Sequence, residues 1–82
     1  MKRKSFCQVK DRLAEDIKTA RAKIGLSQEA LAHAAEVDRT YVSQLERGVA
    51  NPSIQILHRI AAALGSELSI SLVNISNEPR DL

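Results

Sequence analysis

The sequence predicts an all-α domain of four short helices with one short β-strand after them, on three observations. Apolar residues recur at helical spacing in four successive stretches. Each stretch begins behind a serine or aspartate and ends at a glycine or at the tight Glu36-Val37 link. The last aliphatic run alternates with serine at a period of two.

Ser5 followed by Gln8 has the form of a capping box, and Val9, Leu13, Ile17, Ala20 and Ile24 follow at helical spacing, which predicts a first helix over 6–24. Gly25 suits the left-handed conformation that ends a helix, and Ser27 caps the next, expected over 28–35 with Leu31 and Ala32 buried. Asp38 is expected to accept backbone N–H groups at the start of a third helix over 39–47, whose Val42 and Leu45 face inward. Gly48 stops it, Asn51-Pro52-Ser53 makes a turn and cap, and Ile54, Leu57, Ile60, Ala61 and Leu64 form the stripe of a fourth helix closed by Gly65. Leu68, Ile70 and Leu72 then alternate with Ser69, Ser71 and Val73; this reads as a strand, with a short fifth helix as the alternative. The organisation is therefore a basic arm at 1–5, a helical domain at 6–65, a strand at 66–75 and a polar tail at 76–82.

The chain has 82 residues, room for one domain. Apolar residues make up 44% of it but aromatics only 2%, so the core must come from Leu, Ile, Val and Ala, and so small a core gains from association. No apolar run approaches the length needed to cross a bilayer, so no membrane partner is expected and the cytoplasm, on the nucleoid, is the expected location. Cys7, the one cysteine, has no disulfide partner within the chain and no companions for a zinc site; it reads as a half-buried apolar residue. Cys7, His33 and His58 stand singly, without a Gly-rich phosphate loop or metal-ligand spacing, so no enzyme, metal or cofactor is expected. The two histidines read as surface or helix-end residues. Residues 1–24 carry eight Lys/Arg against three Asp/Glu and residues 25–82 four against seven, that is +5 and −3, an asymmetry suited to a basic portion that tracks phosphates.

Two short helices joined by a turn of three or four residues make a helix-turn-helix, in which the second projects from the body while the first steadies it. Residues 27–48 have this form. The stretch Leu26-Ser27-Gln28-Glu29-Ala30-Leu31-Ala32, then Val37-Asp38-Arg39-Thr40-Tyr41-Val42-Ser43-Gln44-Leu45-Glu46-Arg47-Gly48, then Asn51-Pro52-Ser53, closely resembles the Cro/cI (Xre-type) repressor family. The resemblance covers about 10–65 and implies a lambda-repressor-like fold and a sequence-specific, double-stranded-DNA-binding transcriptional regulator, a repressor or autoregulator. One departure is Glu36, where the family most often has glycine; a side chain at positive φ is costly but tolerated.

By their position on the third helix, Arg39, Thr40 and Gln44, with Ser43 beside them, are expected to meet base edges. The resemblance implies that Gln28 holds a phosphate at a helix N-terminus and that Arg47, Asn51 and Ser53 touch phosphate, Asn51 having the alternative of ordering its turn. It also implies an internal ion pair between Arg21 and Glu46. Tyr41 either bonds a phosphate through its hydroxyl or packs its ring between helices, and Lys2-Arg3-Lys4 is either a DNA-reaching arm or a basic terminus.

A lone strand leaves its backbone groups unsatisfied, so Leu68, Ile70 and Leu72 are expected to pair antiparallel with the same segment of a second copy. A homodimer about a two-fold axis implies an inverted-repeat operator with half-sites about 34–36 Å apart. Residues 64–72 also resemble the tail of HipB-type antitoxins, which implies a toxin protein of the HipA type as a further partner. A protein-interaction module on the same scaffold is the competing reading; the polar set Arg39, Thr40, Ser43 and Gln44 argues against it.

Overall fold

A computed structural model describes residues 5–74, in which four helices follow in order: α1 (Phe6–Lys23), α2 (Gln28–Ala35), α3 (Arg39–Glu46) and α4 (Ile54–Ala63). Three of the expected starts are built as the sequence dictates. The Ser5 hydroxyl accepts the Gln8 amide at 3.1 Å while the Gln8 side chain accepts the Ser5 amide at 2.7 Å, completing the box. Ser27 and Ser53 cap α2 and α4 through the amides of Ala30 and Ile56, at 3.0 and 3.1 Å.

The fourth start differs. Asp38 stands at the N-cap of α3 in extended conformation, but its carboxylate makes no capping bond. The Tyr41 amide, which that side chain would have taken, donates to the Asp38 main-chain carbonyl at 3.0 Å instead, and the exposed carboxylate remains in water at the positive end of the helix.

α2 lies at the centre, packed against α3 and α4, while α1 packs against α3. Their shared core joins Ile17 of α1, Leu31, Ala32 and Ala35 of α2, Val42 and Leu45 of α3, and Ile60 and Leu64 at the end of α4. Leu31, Val42 and Ile60 are its fully buried side chains. Each large aliphatic so placed contributes about 1.5–3 kcal/mol, and the buried apolar side chains of this core are all aliphatic. The stripe of α1 is buried only in its middle: Val9 and Ile24 at its two ends are half exposed. Cys7, expected to be half-buried, is exposed, because the first turn of α1 runs beyond the other helices. Among the described residues no helix is long and apolar enough to cross a membrane, and no cluster of acidic, histidine or cysteine side chains has metal-binding form.

The strand expected over 66–75 is not formed within the described residues, and neither is a fifth helix: 66–74 carry no regular structure. A ladder needs a second strand, and one chain among its described residues has none to offer. Leu68 is half-buried, whereas Ile70 and Leu72 stand in solvent, Leu72 completely. The arm residues 1–4 and the tail 76–82 lie outside the described residues, as does the end of the expected strand at 75.

Candidate nucleic-acid interface

Ala35 and Arg39 are joined by only Glu36, Val37 and Asp38, so α3 leaves α2 through a three-residue turn. Glu36 takes the left-handed conformation (φ 60°, ψ 46°) that glycine usually fills, and Val37 turns inward onto the core. α3 is then pinned along one side by Val42, Leu45 and Glu46, all buried. At 100° per residue Thr40, Gln44 and Arg47 fall opposite Val42, with Ser43 flanking them and Arg39 at the open N-terminal end. Arg39, Thr40 and Arg47 are exposed and Ser43 and Gln44 partly so, so all four expected base readers reach solvent, Thr40 and Gln44 on the face opposite Val42 and Arg39 at the first turn.

What holds that surface in place is a charged cluster on the opposite side. Glu46, 5% exposed, accepts Arg21 Nε on Oε2 at 2.7 Å, and on Oε1 both Arg21 Nη2 at 3.0 Å and Gln28 Nε2 at 3.1 Å. The third guanidinium nitrogen, Nη1, donates to the Leu26 carbonyl at 2.9 Å in the link between α1 and α2. One buried carboxylate thus ties together α1, the α1–α2 link, α2 and α3, with a bidentate Arg–carboxylate pair at its heart. Burial pushes the Glu46 carboxyl upward, but hydrogen bonds from Arg21 and Gln28 and the charges of Arg21 and Lys18 outweigh it and leave the group below its ordinary value. The Arg21 guanidinium is raised by its bond to Glu46. The internal pair expected between these two residues is present.

The remaining expected residues are distributed unequally. Gln28 opens α2, and its amide nitrogen is already oriented by Glu46; that nitrogen carries a second N–H for an outside acceptor. Tyr41 packs its ring on the core and is half-buried. Ser53 spends its oxygen lone pair on the α4 cap and keeps a hydroxyl proton, while Asn51 and Arg47 are exposed beside it in sequence on the way into and out of the α3–α4 loop. His33 and His58 are on the surface, as expected.

Sequence reasoning missed Arg59. From α4 its Nε donates to the Ala35 carbonyl at 3.0 Å and its Nη2 to the Glu36 carbonyl at 2.7 Å, so the guanidinium closes the end of α2 beside the turn. The only signal was indirect: a side chain at a position that wants glycine needs support from somewhere.

Comparison with known proteins agrees with this geometry. Residues 17–70 match the family HTH_3, described as Helix-turn-helix. The Control protein C.MunI of Mycoplasma sp is 39% identical over 71 residues, spanning 85% of this chain and 96% of that one. The restriction-modification controller protein C.AhdI from Aeromonas hydrophila superposes with a TM-score of 0.69 at 36% identity, over 71% of this chain and 88% of that one. An HTH_3 family transcriptional regulator from Vibrio cholerae superposes with a TM-score of 0.73 at 32% identity over 77% of this chain, which spans only 35% of the length of that protein. These relatives are regulators and controller proteins, not enzymes. On sequence and on structure alike, the chain belongs to the HTH_3 (Cro/cI-type) family of DNA-binding helix-turn-helix transcriptional regulators.

Proposed function

We propose that this chain is a homodimeric, sequence-specific regulator of the restriction-modification control type, which reads an inverted-repeat operator with α3 and acts as a repressor or autoregulator. The observation that carries the reading is the polar, outward surface Arg39-Thr40-Ser43-Gln44 on a helix whose other side is fixed by buried contacts. In the major groove Arg39 pairs with guanine and Gln44 with adenine, each good pair contributing about 1–3 kcal/mol of discrimination. Thr40 and Ser43 supply shorter contacts. Gln28, Tyr41, Arg47, Asn51 and Ser53 hold phosphates and set the register; they carry no sequence information themselves.

The control-type assignment draws on C.MunI, whose likeness extends along 85% of the chain, whereas the antitoxin reading with a toxin partner draws on residues 64–72 alone. Dimerisation through Leu68, Ile70 and Leu72 is supported by the two exposed aliphatics at 70 and 72, which a monomer leaves in water. A chain ending at Gly65 should sediment as a monomer; one that stays dimeric removes this interface.

Selection of bound duplexes from a random DNA pool tests the reading, performed at two salt concentrations with the wild type and Gln44→Ala. The expected result is an inverted repeat with half-site centres about one helical turn apart, relaxed at one position per half-site by the substitution. An unenriched pool, or a selected sequence identical for both proteins, overturns it.

A further inference from the structure

All four helices end in the same two-bond motif, in which the amide of the left-handed residue returns three residues and the next amide returns five. The pairs are Gly25 to Ala22 and Leu26 to Arg21, Glu36 to His33 and Val37 to Ala32, Gly48 to Leu45 and Val49 to Gln44, and Gly65 to Ala62 and Ser66 to Ala61. Three of the left-handed residues are glycine; the fourth, at the turn that launches α3, is Glu36. A residue with a Cβ populates that region about five- to thirtyfold less readily than its right-handed alternative. Something else must hold the turn.

Arg59 is placed to do so. Its two bonds fall on the carbonyls immediately before and after the Cα of Glu36, those of Ala35 and of Glu36 itself. Those two carbonyls belong to the two peptide planes whose orientations are set by φ and ψ of Glu36. A guanidinium is planar, so two donors of one fork fix both planes at once, which a lysine ammonium does not do. The root of the side chain is itself steady, because the neighbouring Ile60 is fully buried where α4 packs on α2. Positive charge at the C-terminal end of α2 is favourable as well.

We propose that Arg59 is a positioning residue for DNA reading: it takes the part that glycine takes at the other three helix ends, holds Glu36 left-handed, and so sets the angle at which α3 presents Arg39, Thr40 and Gln44. Arg59 touches no base or phosphate in this role. The DNA arm of its test rests on the function proposed above; the solution-geometry arm does not.

The test is a cycle of full-length chains: wild type, Arg59→Ala, Arg59→Lys, Glu36→Gly, and Glu36→Gly with Arg59→Ala, each confirmed folded by circular dichroism at low temperature. Amide residual dipolar couplings report the direction of α3 against a frame set by α1, α2 and α4. With Glu36 present, both Arg59→Ala and Arg59→Lys should leave the frame intact while the α3 couplings cease to fit it. In the Glu36→Gly background, where the turn adopts its conformation freely, Arg59→Ala should leave the α3 couplings much closer to those of the wild type. Affinity for the selected duplex should fall at least about tenfold in the Glu36 background, the equivalent of one lost base contact, with little loss on random duplex.

Unchanged α3 couplings in folded Arg59→Ala overturn the proposal, as does an equal change in both backgrounds, which makes Arg59 a stabiliser only. An equal affinity loss on selected and random duplexes overturns it in favour of a phosphate contact. If Arg59→Ala does not fold with Glu36 present, Arg59→Lys decides by the same couplings. If the wild type selects no duplex, the function proposed above fails, and the couplings still decide the role of Arg59.

Discussion

The two sides of α3 differ sharply in burial. Val42, Leu45 and Glu46 are almost without exposure, and Glu46 is bound to two other helices, whereas Arg39, Thr40 and Arg47, a fraction of a turn away, are exposed. The inner side has its hydrogen bonds made and its apolar area covered. The fold asks nothing of Arg39 and Thr40, and this is why one helix can be fixed in angle by the protein and still vary freely in what it reads. Stability and recognition should therefore separate under mutation.

The largest effect expected is on the inner side. Leu45→Ala removes a 3% exposed side chain from the centre of the core and should lower stability by about 2–5 kcal/mol, read by chemical denaturation, with DNA affinity lost only in proportion to the unfolded fraction. Glu46→Ala comes next. It strands a partly buried guanidinium and the Gln28 amide, and should cost about 2–3 kcal/mol, below the range for fully buried pairs because the Arg21 side chain is 22% exposed. A melting temperature unchanged by Glu46→Ala, with DNA binding abolished, would move this cluster from scaffold to binding machinery.

The same carboxylate sets a dependence on pH. Its folded value lies below the ordinary 4.5, so the unfolded chain takes up the proton first as pH falls. The stabilisation is full above 4.5 and is lost as pH falls through the lower, folded value. Melting curves of the wild type should slope downward in that window, and Glu46→Gln should remove that part of the slope. Last comes the outer side: Gln44→Ala should alter stability by no more than about 0.5 kcal/mol while relaxing the selected operator at one position. A melting point that drops with Gln44→Ala by as much as with Glu46→Ala would erase the distinction between the two sides.

The elements legible in the sequence are those fixed by neighbours a few residues apart. The starts of α1, α2 and α4 rest on serine caps, and the glycines at 25, 48 and 65 mark the ends of three helices, because in each case donor and acceptor lie within one turn. Gly48 is required by its φ of 73°; a Cβ there would also come within 2.7 Å of an Asp11 carboxylate oxygen, a contact that the exposed Asp11 side chain relieves by turning away. The Arg21–Glu46 pair was legible only through family resemblance, since its members are 25 residues apart.

What escaped the sequence is of that same long-range kind. Arg59 meets carbonyls 24 and 23 residues away, and main-chain acceptors leave no trace in side-chain identity. Gln28 was legible as the first residue of α2, but its engagement with Glu46 follows from how α2 and α3 pack. Cys7 read as a half-buried apolar residue, but α1 is buried only in its middle. The alternation at 68–73 reads as a strand, but a strand needs a neighbour to pair with and none stands beside it among the described residues.

The scarcity of aromatic residues has an optical consequence. The chain has no tryptophan and a single tyrosine, and Tyr41 sits half-buried on α3, packed against the core. Phe6, the one phenylalanine, contributes little at the wavelengths that excite tyrosine. Ultraviolet emission from the unlabelled protein is therefore a private channel from the helix of greatest interest. Quenching on addition of a duplex, once corrected for the light the DNA itself absorbs, registers events at α3 without a dye or a tag.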